Sequence, residues 1–215
     1  MAILKKPEIT KVIEILAEVY PEAECALVHE NTFQLLITVV LSAQTTDKSV
    51  NQISPLLFER YPDAEALASA RAADLENILK RIGMYRTKAK NIIALSQMLL
   101  DEFEGLVPKD YDLLIKLPGV GRKTANVVLS VGFGVPRIAV DTHVFRLANR
   151  IGLATGKNVL DTELSLMKTI PENLWIMTHH ALIMHGRNVC GAQRPGCDGC
   201  ALDKLCKKNG VERKK

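Results

Sequence analysis

Between Leu113 and Leu129 the sequence reads Leu-Leu-Ile-Lys-Leu-Pro-Gly-Val-Gly-Arg-Lys-Thr-Ala-Asn-Val-Val-Leu, two apolar helical stretches joined by a turn on Pro118, Gly119 and Gly121. Both glycines can adopt positive φ and leave the neighbouring backbone N–H groups unobstructed. The amides of Gly119, Val120, Gly121 and Arg122, with the positive end of the following helix, suit an anion. A helix-hairpin-helix of this kind can grip a nucleic-acid phosphate without reading base sequence. A plain Gly-rich connector between packed helices would use the same residues.

Lys123 is the second residue after that turn. A lysine there serves as a solvated charge or a further phosphate contact. However, the helix N-terminus and Arg122 both disfavour an ammonium, and an amine that has lost its proton can act as a nucleophile and form a Schiff base. Such an amine needs a carboxylate partner. The first acidic residue downstream is Asp141, in Ile138-Ala-Val-Asp-Thr-His-Val-Phe-Arg146, where an apolar run gives way to a helical pattern. That position is a helix N-cap, which by itself accounts for an aspartate. Capping also holds a carboxylate rigid and ionised, a state suited to accepting a proton or stabilising positive charge on a sugar.

Four of the five cysteines, Cys190, Cys197, Cys200 and Cys206, follow the spacing Cys-x6-Cys-x2-Cys-x5-Cys. In a reducing compartment disulfides are disfavoured, so the spacing points to a metal site. Zinc sites usually bring two close pairs, whereas one pair with two outlying single ligands suits a larger object, so a [4Fe–4S] cluster fits better than zinc. Both remain open on spacing alone. The loop closed by Cys190 and Cys197 carries Arg194, with Arg187 just before it, and either arginine could meet a phosphate or simply be solvated. Cys25 stands apart and reads as a core thiol.

The elements that must position these residues read as helices throughout. Apolar residues recur at three- and four-residue spacing over 7–20, 32–44, 47–61, 64–70, 73–82, 85–103, 110–116, 122–133, 141–151, 160–169 and 175–189, and no segment alternates with period two. The expected fold class is all-α. Pro55 should kink or split its helix, and Lys207 to Lys215 read as a frayed basic tail. His179, His180 and His185 sit on a mostly apolar helix and read as packing residues.

Composition sets the outer limits. No apolar run approaches the roughly 20 residues of a membrane span, and no signal-peptide core precedes Ile9, so an intracellular, cytoplasmic protein is expected. The 28 basic and 24 acidic residues nearly cancel, but residues 1–105 hold 11 and 15 of them while residues 106–215 hold 17 and 9. That asymmetry suggests a polyanionic partner for the C-terminal half.

Taken together these segments resemble the endonuclease III family of DNA repair enzymes. The resemblance rests on Leu117-Pro-Gly-Val-Gly-Arg-Lys-Thr-Ala125, Val140-Asp-Thr-His143, the Cys190 to Cys206 spacing, Leu41-Ser-Ala-Gln-Thr-Thr-Asp47 and Ile82-Gly-Met-Tyr85, and so spans nearly the whole chain. It implies a six-helix barrel domain with the hairpin over residues 26–136. Residues 1–25 with 137–215 would form a [4Fe–4S] cluster domain, with a DNA cleft between the two. It implies a monomer that acts, at the chromosome, on double-stranded DNA containing oxidised or saturated pyrimidines, such as thymine glycol, or abasic sites. Lys123 would be the nucleophile and Asp141 its partner. Gln44 would fill the space left by the flipped nucleotide and Met84 would be the wedge, where many relatives carry leucine. Thr142 and His143 would face the DNA backbone. The alternatives are a mismatch-specific adenine or thymine glycosylase of the same superfamily, which typically lacks the lysine, and a non-catalytic iron–sulfur DNA-binding protein.

Overall fold

The computed structural model describes residues 2–211, in which the regular structure is helical and no strand forms. Cys190 and Pro195 make an isolated antiparallel bridge. The chain divides into two compact units, Cys25–Val135 and Met1–Glu24 with Pro136–Lys215.

The unit Cys25–Val135 is organised around α2 (Thr32–Leu41), every residue of which from Phe33 onward is buried. A helix apolar on all sides belongs at a centre. Asn31 starts it by accepting the Gln34 N–H at 2.9 Å. Around it lie α3 (Asp47–Arg60), α4 (Ala64–Ala68), α5 (Ala72–Leu79), α6 (Tyr85–Phe103), α7 (Tyr111–Leu114) and α8 (Arg122–Val127), the last continuing as a π-helical turn over Val128–Gly132. α6 is the long strut against which α4 and α5 pack, while α8 and the π turn lie on α2.

Three expectations need correction in this unit. Pro55 does not split its helix, since α3 runs unbroken from Asp47 to Arg60. Pro55 is exposed, so water can take up the Asn51 carbonyl that loses its helical donor. The helix expected over 32–44 ends at Leu41, and Gln44 lies beyond it in the left-handed region, φ 52°. Cys25 is half-buried in the connection at the edge of the unit rather than a core thiol.

In the other unit α1 (Lys6–Val19) packs on α11 (Trp175–Asn188), and α11 and α10 (Val159–Thr169) pack on α9 (Thr142–Ile151). Val12, Ile13 and Leu16 of α1 join Val144, Leu147, Leu166 and Leu182 in one core. The basic tail is not frayed over its described part. The Lys207 and Asn209 N–H groups donate to Ile151 and Arg150 carbonyls at 3.0 Å each, and the Asn209 amide donates to Ala2 O at 2.7 Å and Asn149 O at 2.9 Å. The α9 terminus leaves carbonyls that need donors, and the tail supplies them. Residues 212–215 lie outside the described range.

Candidate active site and cysteine loop

The hairpin is built as a tight turn with one left-handed glycine. Gly119 has φ +82°, and a Cβ there would come within 3.0 Å of Asn91 Nδ2 and 3.2 Å of Val40 Cγ1. Gly121 differs from expectation: its φ is −100°, available to any residue, and a Cβ on it would meet nothing within 4 Å. The fold therefore requires glycine at 119 alone. Val120 is also corrected. Its side chain is 6% exposed and its N–H closes the turn on the Leu117 carbonyl at 3.0 Å, so this amide is not free to hold a phosphate. Gly121 is the N-cap of α8 and supplies no side-chain cap, and a helix start of this kind suits an anion.

Lys123 stands exposed in that first turn, and Arg122 beside it donates to the Tyr111 hydroxyl at 3.2 Å with its guanidinium over the ring. Tyr111 was not singled out by sequence. Its pairing with Arg122 fastens the start of α8 to the start of α7.

Gln44 and Met84 occupy neighbouring loops of the same unit. Both are left-handed non-glycine residues, φ 52° and 55°, and a Cβ on Gly83 would sit 4.0 Å from the Gln44 carbonyl oxygen. Such conformations are strained and persist only where surroundings enforce them. Gln44 is exposed, and Met84 is 49% exposed although apolar. A large apolar side chain held in a strained, solvent-facing position is poorly explained by folding alone.

In the other unit Asp141 is the N-cap of α9, as expected, accepting the Val144 N–H at 2.8 Å. Thr142 is exposed and His143 half-buried, with His143 Nδ1 3.3 Å from Arg146 Nη2. Arg146 and Arg150, one helical turn apart, were missed by sequence reading. Arg146 donates to the carbonyls of Gly186 and Cys190 at 2.9 Å each, and Arg150 donates to Cys190 Sγ at 3.3 Å, Gly191 O at 2.8 Å and Ala192 O at 3.1 Å. The helix that begins at Asp141 is thereby tied to the cysteine loop. Two arginines one turn apart on an otherwise uncharged helix were the available signal.

All four cysteines line one small pocket, together with Ile151 and Leu202. Each is a free thiol, and among the described residues no three His, Cys, Asp or Glu side chains are gathered closely enough to chelate a single ion. The donor set is nonetheless what a thiolate-bound group requires. Sulfurs surround a space, Arg150 points an N–H at Cys190 Sγ, the Lys208 amide points one at Cys206 Sγ at 3.4 Å, and His185 Nε2 lies 3.5 Å from Cys200 Sγ. Such N–H···S contacts stabilise ligating sulfur. Burial pushes the Cys200 and Cys206 thiols up, only partly opposed by backbone donors, so binding would release protons. His179, His180 and His185 are all buried, and His185 also pairs with the Tyr20 hydroxyl at 3.0 Å. Arg187 and Arg194 are exposed on either side of Cys190.

Residues 37–172 match the model of the HhH-GPD superfamily base excision DNA repair proteins. Endonuclease III of Bacillus subtilis (strain 168) is 48% identical over 204 residues, 94% of this chain and 93% of the relative. The chain belongs to the endonuclease III family. Two solved structures agree in fold at a TM-score of 0.91 and 49% identity, covering 96% of this chain and 97% of theirs: a non-covalent endonuclease III–DNA complex and a trapped endonuclease III–DNA covalent intermediate, an estranged-adenine complex. As in that family the chain is all-α. No helix among its described residues is long and apolar enough to cross a membrane.

Proposed function

We propose that this base excision repair glycosylase and abasic-site lyase removes oxidised or saturated pyrimidines, such as thymine glycol, from duplex DNA, with Lys123 as nucleophile. The observation that carries the assignment is Lys123 itself, exposed in the first turn of α8 directly after a glycine turn that makes no side-chain cap. The unit Cys25–Val135 would be the barrel domain holding the hairpin, and the remainder the cluster domain. Amides of Gly119, Gly121 and Arg122 would hold a backbone phosphate, with Thr142, His143, Arg187 and Arg194 as further backbone contacts.

A pyrimidine that has lost aromaticity stacks poorly, so everting it costs less than the few kcal/mol of a normal base. Met84 would enter the stack and Gln44 occupy the space the lesion leaves. Asp141 takes a proton from the Lys123 ammonium, and the freed amine attacks C1′ of the sugar. The glycosidic bond breaks, its electron pair leaving with the base, while the Asp141 carboxylate stabilises positive charge on the sugar. Ring opening yields a Schiff base. Removal of a C2′ proton then expels the 3′ phosphate by β-elimination, cutting the strand 3′ to the lesion. Water hydrolyses the imine and returns the lysine.

Cys190, Cys197, Cys200 and Cys206 would hold a [4Fe–4S] cluster, which when bound cross-links the loop that carries Arg194. Double-stranded DNA is the partner, and the enzyme would act as a monomer. A duplex carrying one thymine glycol, incubated with and without borohydride, tests the reading. Strand cleavage and a trapped covalent adduct are expected from the native protein, and neither from Lys123→Ala. An adduct still formed by Lys123→Ala would remove Lys123 from the nucleophile's role.

A further inference from the structure

Lys88 is a buried cation that the chemistry above does not use. It is 3% exposed, in the first turn of α6, where no acidic residue accompanies it and the N-cap Met84 makes no side-chain cap. Burial and the positive helix end both oppose an ammonium there, and burial pushes its pKa down. A leucine or methionine would fill the same space without either penalty, so the charge needs an account in what it touches. Its Nζ donates to Thr45 Oγ1 at 2.6 Å, and its own backbone N–H donates to the Met84 carbonyl at 3.0 Å. The backbone bond is the ordinary helical one that any residue at 88 makes, so it is the side chain that ties the start of α6, directly after left-handed Met84, to the loop of left-handed Gln44. Thr45 is in turn fixed to its loop, donating its N–H to the Ser42 carbonyl at 3.0 Å.

We propose that Lys88 is a positioning residue that sets the spacing of Gln44 and Met84, so that both enter the DNA stack together when a lesion is everted. This rests on the assignment of Gln44 and Met84 as the invading pair. Neither conformation is favoured by its own residue type, and a hydrogen-bonded cross-link between the loops supplies the constraint that such conformations need. Lys88 touches no reacting atom. It should govern steps that require duplex invasion and leave untouched the attack of Lys123 on a sugar that is already accessible.

The test uses full-length Lys88→Met and Thr45→Val, with Lys88→Arg as the conservative variant. Two rates are read: single-turnover excision of thymine glycol from a duplex, and β-elimination at a preformed abasic site in a single-stranded oligonucleotide. Lys88→Met and Thr45→Val should lose on the order of tenfold or more in excision, as misplacement by about an ångström does. Abasic-site cleavage should stay within about twofold of native, and Lys88→Arg should recover part of the excision rate. A 2-aminopurine opposite the lesion should brighten on binding the native protein and not on binding Lys88→Met. Native excision by Lys88→Met, or equal loss of both rates, overturns the proposal. Gln44→Ala and Met84→Ala run alongside as controls. If both excise normally, the invasion reading itself fails; if they fall while Lys88→Met does not, only the positioning role fails.

Discussion

Asp141 binds its own helix: its Oδ1 accepts the Val144 N–H at 2.8 Å, so the proposed proton acceptor is also the N-cap of α9. The two roles separate by substitution. Asn caps as well as Asp but carries no charge, so Asp141→Asn should keep native stability and lose at least a hundredfold in single-turnover excision. Asp141→Ala should lose the activity and, in addition, about 1 kcal/mol of stability in chemical denaturation. Asp141→Asn with full activity would leave capping as the residue's whole purpose.

The two hairpin glycines should behave oppositely. Gly119→Ala forces a side chain into positive φ at roughly 1–2 kcal/mol and presses its Cβ on Asn91 and Val40, so thermal unfolding should show marked destabilisation. Gly121→Ala meets open space and should leave stability within about 0.5 kcal/mol of native. Its DNA affinity should still fall, because the added methyl stands where a phosphate would approach the α8 amides. Undiminished affinity of a folded Gly121→Ala protein would remove this turn from the DNA interface.

The cysteine loop yields a prediction on iron. Cys200→Ser should lower the iron content and the visible absorption together, and should reduce both the unfolding temperature and DNA affinity, because Arg187 and Arg194 flank a loop that the cluster would close. Chelation of iron from the native protein should reproduce the same losses. A colourless, zinc-loaded native protein, or an iron-free one with unchanged stability, would contradict the cluster assignment.

His180 makes stability depend on pH. Burial lowers its pKa in the folded state, while the unfolded chain titrates near the ordinary value of about 6.5. Above that value both states are neutral and pH has no effect through this residue. As pH falls below it, the unfolded state takes up a proton that the folded state refuses, and stability declines. Urea denaturation from about pH 7.5 to about pH 5 should show that decline, with a shallower slope for His180→Gln. Equal slopes would show that His180 does not carry the effect.

Much of the candidate site's local structure was legible because its determinants are local. A Pro-Gly-x-Gly turn, a lysine in the next helical turn, an aspartate between an apolar run and a helix, and four cysteines within seventeen residues are all set by spacing. The errors fell where a neighbour distant in sequence decides. Gly121 looked equivalent to Gly119 until the packing of Asn91 and Val40 against only one of them was visible. The tail read as frayed because nothing nearby in sequence holds it, whereas the donors it supplies satisfy the end of α9.

Residue type and short-range spacing thus determined on their own which groups are available for chemistry, and that the chain is helical, since caps, turns and apolar periodicity act over a few residues. Tertiary packing decided what those groups are fastened to. Arg146 and Arg150 reach the Cys190 segment across 44 and 40 residues of chain, and Lys88 reaches Thr45 across 43. It also decided that Gln44 and Met84 stand in left-handed conformations their own residue types disfavour. Those contacts and strains depend on how helices bury one another's side chains, and no local pattern of residues encodes which charge will be drawn inside to meet which partner.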